Sequence, residues 1–270
     1  MSEAPKTSDL TLWPAEPFPL ERERVEAAYR ALRETLAAEI GHVDAAGLDG
    51  CLGPVPADAT DAEGLDAWLR ASHLPLEWVA LRLLSEVGSG EARRELSGRV
   101  VVPEDQIRVV GGDVTVHGDL LLEDGARVVV LGDLRVTGAL VASTDAYSLV
   151  AARRFECRAG VTAGSVMALD SVHCPGAFCL SSDHHDSLAP LFTGGVLVDH
   201  LFPAQFDRVE VATRVTGGIE EIDHDAALEA LGLSSPWEAA AEDDEDWDDE
   251  WDDIDVGGIY AARLRESLCP

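Results

Sequence analysis

Apolar residues recur along this chain with two different periods. In 20–40 they fall at Val25, Tyr29, Leu32, Leu36 and Ile40, the spacing of one helix face, and Gly41 is a natural stop. Thr60 and Glu63 make a capping-box pair that predicts a helix with Leu65, Trp68 and Leu69 inside it. Pro75 fits the first turn of a third helix carrying Trp78, Val79, Leu81, Leu83 and Leu84, which stops at Gly88-Ser89-Gly90. A short fourth helix is expected over 91–96.

Near Arg99 the period changes from 3.6 to 2, and β-branched residues with Gly-Asp turns dominate as far as Gly218. A seven-residue unit recurs: two apolar residues flanking one of any type, three turn-like residues, then another apolar residue. It reads Val114-Thr-Val116-His-Gly-Asp-Leu120, Leu134-Arg-Val136-Thr-Gly-Ala-Leu140 and Phe155-Glu-Cys157-Arg-Ala-Gly-Val161. Val172-His-Cys174-Pro-Gly-Ala-Phe178 and Val209-Glu-Val211-Ala-Thr-Arg-Val215 continue it, and Val196-Leu-Val198-Asp-His-Leu-Phe202 fits more loosely. A repeat of about twenty residues built from short strands predicts a solenoid. Alternate residues face inward along each strand, and a glycine corner lets the next apolar residue face inward too. Stacked coils then bury one apolar column. The expectation is a mainly β, parallel β-helix of about six rungs. The competitor is an antiparallel sandwich with hairpins at Gly111-Gly112-Asp113 and Gly118-Asp119.

After residue 223 the pattern returns to helix and acid. Short helices are expected over 224–231 and 259–268, joined by a linker at Ser235-Pro236-Trp237. The organisation is thus an N-terminal helical region (1–97), a solenoid (98–223) and an acidic C-terminal arm (224–270).

The rungs Gly112-Asp113-Val-Thr-Val-His-Gly118-Asp119 and Gly132-Asp133-Leu-Arg-Val-Thr-Gly138 resemble those of the bacterial polymer-forming cytoskeletal, or bactofilin-like, proteins. The resemblance covers about 98–220. It implies a right-handed β-helix whose ends can polymerise, and the role of a scaffold. This chain departs from that pattern in its flanking helices, which are expected to cap the solenoid and block end-to-end stacking.

Charge narrows the function further. The chain of 270 residues has 20 Lys+Arg against 51 Asp+Glu, a net charge of −31. Nucleic-acid binding and adsorption to an anionic membrane both need a basic surface, so neither is expected. The excess is uneven: −9 over 1–97, −9 over 98–223 and −13 over 224–270. Eleven of the fourteen residues in 242–255 are acidic. Five scattered cysteines point to a reducing compartment rather than a disulfide framework, and no signal peptide is read, so the expected location is the cytoplasm.

Candidate chemistry is sparse. Cys174, Cys179, Ser181, Ser182, Asp183, His184, His185 and Asp186, with His173 and His200 nearby, are zinc-ligand types at the wrong spacing for a known site. Cys157 and Cys174 hold the inward central place of their units, where a small buried residue belongs. Asp113 and Asp133 lie one rung apart, as a glycosidase pair could, yet both sit beside glycine, where Asp forms turns. No phosphate loop, cofactor motif or nucleophile elbow is present. No enzymatic activity, metal or cofactor is expected.

The acidic run contains Trp247 and Trp251. Spaced by four, their indoles share one face of a helix, and aromatic anchors dominate interface energies. The run reads either as a solvated solubility tail or as a docking segment, in which Trp247, Trp251, Asp246, Asp248, Asp249, Glu250, Asp252 and Asp253 are the expected contacts for a basic partner protein. The leading expectation is a non-enzymatic scaffold or protein-binding solenoid, with homo-oligomers or polymers through its ends as an open possibility. The alternative is an immunity-type inhibitor of a basic toxin such as a nuclease, recruited by charge steering.

Overall fold

The computed structural model describes residues 10–14, 22–40, 46, 76–88, 93–142, 148–162, 164–180, 187–200 and 205–217. In chain order these form β1 (Leu10–Leu12), α1 (Arg22–Ile40), α2 (Leu76–Gly88), β2 (Arg93–Ser97), β3 (Arg99–Val102), β4 (Ile107–Val110), β5 (Asp113–His117), β6 (Leu120–Leu122), β7 (Arg127–Ala142), β8 (Leu149–Thr162), β9 (Ser165–Leu180), β10 (Leu188–His200) and β11 (Gln205–Gly217). Helices α1 and α2 match the periodicity read at 20–40 and after Pro75. The helix expected after Thr60 and everything expected beyond residue 217 lie outside the described residues.

Every strand pair is parallel, so the hairpin sandwich is excluded and the β-solenoid stands. Each coil has three faces. The first is β4 and the leading residues of β7 to β11. The second runs through β2, β5 and the middle of β7 to β11. The third runs through β1, β3, β6 and the ends of β7 to β11. Full layers begin at residues 107, 127, 149, 165, 188 and 205, so the stack climbs about five turns from the first layer to the last.

Alternation fills the interior as expected. Val114 and Val116, Leu134 and Val136, Phe155 and Cys157, and Val172 and Cys174 enter one buried cluster from the second face. Leu120, Leu122, Leu140, Phe178, Leu180 and Leu197 enter it from the third. Burying each such side chain stabilises the fold by about 1.5–3 kcal/mol. Phe155, Phe178, Phe192 and Phe206 form a ladder with ring centroids 6.4, 5.8 and 5.0 Å apart. The corner between second and third faces needs glycine. Gly118 has φ +144° and lies so close over Gly98 that a Cβ would collide with the Gly98 carbonyl.

Three of the units are in a different register from the one read in the sequence. Val172 pairs with Phe192, and Phe192 with Val209. The true fifth unit is therefore Phe192-Thr193-Gly194, and Val196 and Val198 belong to the third face. Gly194 takes the place of Cys174, and a glycine at an apolar position hid the repeat. Likewise Gly160, not Val161, is in register with Leu140 and Phe178, and Arg214, not Val215, is in register with Leu197 and so with Phe178.

The short helix expected over 91–96 is instead strand β2, paired with β5 from Arg93↔Asp113 to Ser97↔His117. Its helical tendency yields to pairing with the next coil, since local propensity is weak beside a full ladder. The described helices also do not sit over an end of the stack. Val25, Leu36, Leu81, Leu83 and Leu84 pack on the outer side of the first face, against Val109, Val129, Leu131, Leu149, Ala151 and Met167. That face is therefore buried on both sides, which is why 127–131 reads as an almost unbroken apolar run.

Candidate functional site

Asp113 and Asp133 do stack at one corner, where one oxygen of Asp113 serves the backbone and one of Asp133 serves a neighbour. Asp113 Oδ1 accepts the amide of Asp133 at 2.9 Å. Asp133 Oδ1 accepts both Nε and Nη2 of Arg153, at 2.9 and 2.8 Å. This contact, with the nearby carboxylates, holds the Arg153 guanidinium above its ordinary pKa. At the next corner Asp119 Oδ1 accepts the amide of Ala139 at 2.9 Å, and Asp119 Oδ2 faces Arg99 Nε at 3.6 Å. A carboxylate that accepts the amide one coil further on fixes the rise between layers. It replaces a ladder bond that the corner interrupts.

A shallow cleft of about 330 Å³ lies on the outer second face, lined by Arg93, Asp113, Thr115, Asp133, Arg135, Arg154 and Glu156 among others. Its charges are matched locally: Arg135 faces Glu156 at 3.6 Å and Arg154 faces Asp170 at 3.2 Å. Such exposed pairs are worth little individually. They leave a polar wall of balanced charge.

The cysteine–histidine cluster does not converge. Cys174 points into the core, while its neighbour His173 points outward and shares a hydrogen bond with Thr193 Oγ1 at 2.8 Å, because adjacent residues of a strand face opposite ways. Cys179 lies on the third face, in register with Val161 and Val198, and is buried. Ser181, Ser182, Asp183, His184, His185 and Asp186 are outside the described residues. Among the described residues no three His, Cys, Asp or Glu side chains are grouped to hold a metal ion. Cys157 and Cys174 are buried as expected. Burial, aided by a hydrogen bond with Cys174, pushes the Cys157 thiol well above its ordinary range. It is a packing group rather than a thiolate nucleophile.

The two ends of the stack went unread in the sequence. At the N-terminal end β1 pairs with β3 through Leu10↔Arg99, Thr11↔Val100 and Leu12↔Val101. Trp13 follows, its amide donating to Val101 O at 2.9 Å and its indole buried in the core cluster. Arg108 is itself nearly buried, and that burial lowers its pKa. Its Nε donates to the carbonyl of Trp13 at 3.0 Å, and its Nη1 to the carbonyl of Ile107 at 3.0 Å. Trp13 and Arg108 together plug the core. The alternation Leu10-Thr-Leu12 before a tryptophan was the available signal, but three residues are too few to stand out. At the other end Phe206, Val209 and Val211 are only half-buried against the same core.

The acidic-arm residues Asp246, Trp247, Asp248, Asp249, Glu250, Trp251, Asp252 and Asp253 lie outside the described residues. Among the described residues no helix is long and apolar enough to cross a membrane. Comparisons with protein-family models, with curated proteins and with solved structures return no match for this chain.

Proposed function

We propose that this chain is a non-enzymatic scaffold: a rigid β-solenoid that carries an acidic arm for a basic protein partner and offers its ends for assembly. The observation that carries this reading is the use made of the corner carboxylates. Asp113, Asp119 and Asp133 accept bonds from the backbone or an arginine of the adjacent coil. A pair of acids working as general acid and base needs oxygens available to substrate. Here the most suggestive acids in the sequence each commit an oxygen to architecture. The outer polar wall is neutral, and the excess charge is concentrated in 224–270, at −13. Like charge at that density steers a basic partner and favours its capture.

The test is affinity capture with the full chain and with a chain lacking 242–255, at low and high salt. The reading expects a basic protein retained at low salt, released at high salt, and lost with the deletion. Retention unchanged by the deletion removes the arm from this role. Sedimentation and negative-stain microscopy of the purified protein report assembly.

A second reading is favoured by the same charge. An acidic immunity-type inhibitor would bind one basic toxin, such as a nuclease, in a fixed stoichiometry. A neighbouring gene for such a toxin, and inhibition of it by the purified chain, would select this reading over the scaffold.

A further inference from the structure

Two of the three faces carry apolar residues on both sides. The first owes this to its helices. On the outer side of the third face Val141, Val161, Cys179 and Val198 stack one per coil. Leu121, Val101 and Leu12 continue the column toward the N-terminal end. These residues alternate with the inward Leu140, Phe178 and Leu197, so they point away from the interior. None of them belongs to the interior cluster or to the cluster under the helices. Yet Val198 is 0%, Cys179 and Val161 are 1% and Val141 is 3% exposed.

Outward side chains of a sheet lose water that completely only when another layer lies on them. Among the described residues no helix supplies that layer, because α1 and α2 pack on the first face. The burial is found in a single chain, so the cover comes from this chain and not from a second copy. The two longest stretches outside the described residues are 47–75 and 218–270. The first lies between α1 and α2, which both sit on the first face. The second leaves from the third face itself. The end of β11 pairs with the third-face end of β10, Val215 with Val198 and Gly217 with His200, so the chain departs beside the best-buried member of the column. Exposure follows the same direction. It is lowest at Val198; Leu121 and Val101 are less completely covered, and Leu12 at the far end is 66% exposed. Length agrees as well. Val141 to Val198 spans three strand spacings, about 14 Å. A stretch as long as 219–233 reaches about 22 Å even when coiled as a helix, and this one carries Ile219, Ile222, Leu228, Leu231 and Leu233.

We propose that the outer third face is the docking surface for residues 219–233 of the same chain. The segment closes the apolar column as the helices close the first face. It also sets where the acidic run begins. Glu242 follows Leu233 by nine positions, so the run is held near the flank of the stack, whatever partner it binds.

The test uses the thiols of the full chain. Cys179 lies under the proposed cover, while Cys157 and Cys174 face the interior. Iodoacetamide is applied under native conditions, and its adducts are followed residue by residue by mass spectrometry. In the parent chain all three thiols should react slowly at every protein concentration. In Ile222→Asp/Leu228→Asp/Leu231→Asp, Cys179 should react at least tenfold faster, with Cys157 and Cys174 still slow. An unchanged Cys179 beside two slow interior thiols overturns the proposal. So does a parent Cys179 that becomes reactive on dilution, which would give the face to a second copy. Release of Cys179 by Leu65→Asp/Trp68→Asp instead of by the first variant would give it to 47–75 and overturns the proposal too. Should all three thiols react together, the solenoid has opened, and Leu228→Ala/Leu231→Ala takes the place of the first variant with the same outcomes.

Discussion

Gly160 and Phe178 occupy the same inward column one coil apart, and the ring of Phe178 lies where a side chain on Gly160 would be. The register pairs Gly160 with Leu140 on one side and Phe178 on the other. A Cβ on Gly160 would run into Cε2 and Cδ2 of that ring. The column thus runs from Leu120 and Leu140 past Gly160 to Phe178 and Leu197, with one coil contributing no side chain, and Phe178 reaches across the core to meet Phe155 and Phe192 edge-on.

That pairing predicts a coupled pair of substitutions. Gly160→Ala overpacks the column and should cost about 1–3 kcal/mol in urea unfolding. In a Phe178→Leu background the same change should cost less, because the ring that it meets is gone. A double-mutant cycle reads the difference; simple additivity would show that the two residues do not share space.

Asp113 separates architecture from charge. Asp113→Ala removes the acceptor for the Asp133 amide and should lower stability by about 1 kcal/mol. Asp113→Asn keeps a carbonyl oxygen there and should stay within about 0.5 kcal/mol of the parent. Equal losses in both variants would mean that the charge, not the bond, matters.

The Cys157 thiol gives stability an alkaline limit. Burial, with the Cys174 hydrogen bond, raises its folded pKa, while the unfolded thiol ionises near ~8.5. Below that value both states hold the proton and nothing is lost. Above it the unfolded chain releases a proton that the folded chain keeps, so stability falls by up to about 1.4 kcal/mol per pH unit until the folded thiol titrates. Thermal melts from neutral to alkaline pH should show this decline. Cys157→Val should flatten it.

The helices on the flank are part of the fold. Leu83 is fully buried against the outer first face, and Leu83→Ala should cost about 2–5 kcal/mol. Hydrogen exchange should then speed up first at the first-face strands around Val129 and Ala151. Exchange that accelerates only at the N-terminal edge would place α2 elsewhere in the energetics.

Much of the solenoid was legible because its repeat lies in single residues. Val114, Leu134, Phe155 and Val172 are in register as their spacing implied, since inward alternation admits only apolar residues there. The repeat failed at Gly194 and Gly160, where the in-register residue is glycine and leaves no apolar mark, and at Arg214, beside the apolar Val215 that was read in its place. The candidate sites followed the same logic. Asp113 and Asp133 were read correctly as turn residues beside glycine. His173 and Cys174 were adjacent in sequence but not on the same surface, because the pleat separates neighbours. The β1–Trp13 plug depends on pairing with β3 across a long separation, and three alternating residues are too short a local signal to announce it.

The sequence by itself determined that a coil of short parallel strands would form, which residues line its interior, and that the negative charge is densest beyond it. These follow from side-chain periodicity and composition, which are properties of neighbours in the chain. Only the tertiary structure decided that the helices lie on the flank instead of over an end, and that Trp13 and Arg108 close the N-terminal core. Those outcomes are set by which surfaces remain unburied once the coil has stacked, and that competition is between residues far apart in the chain.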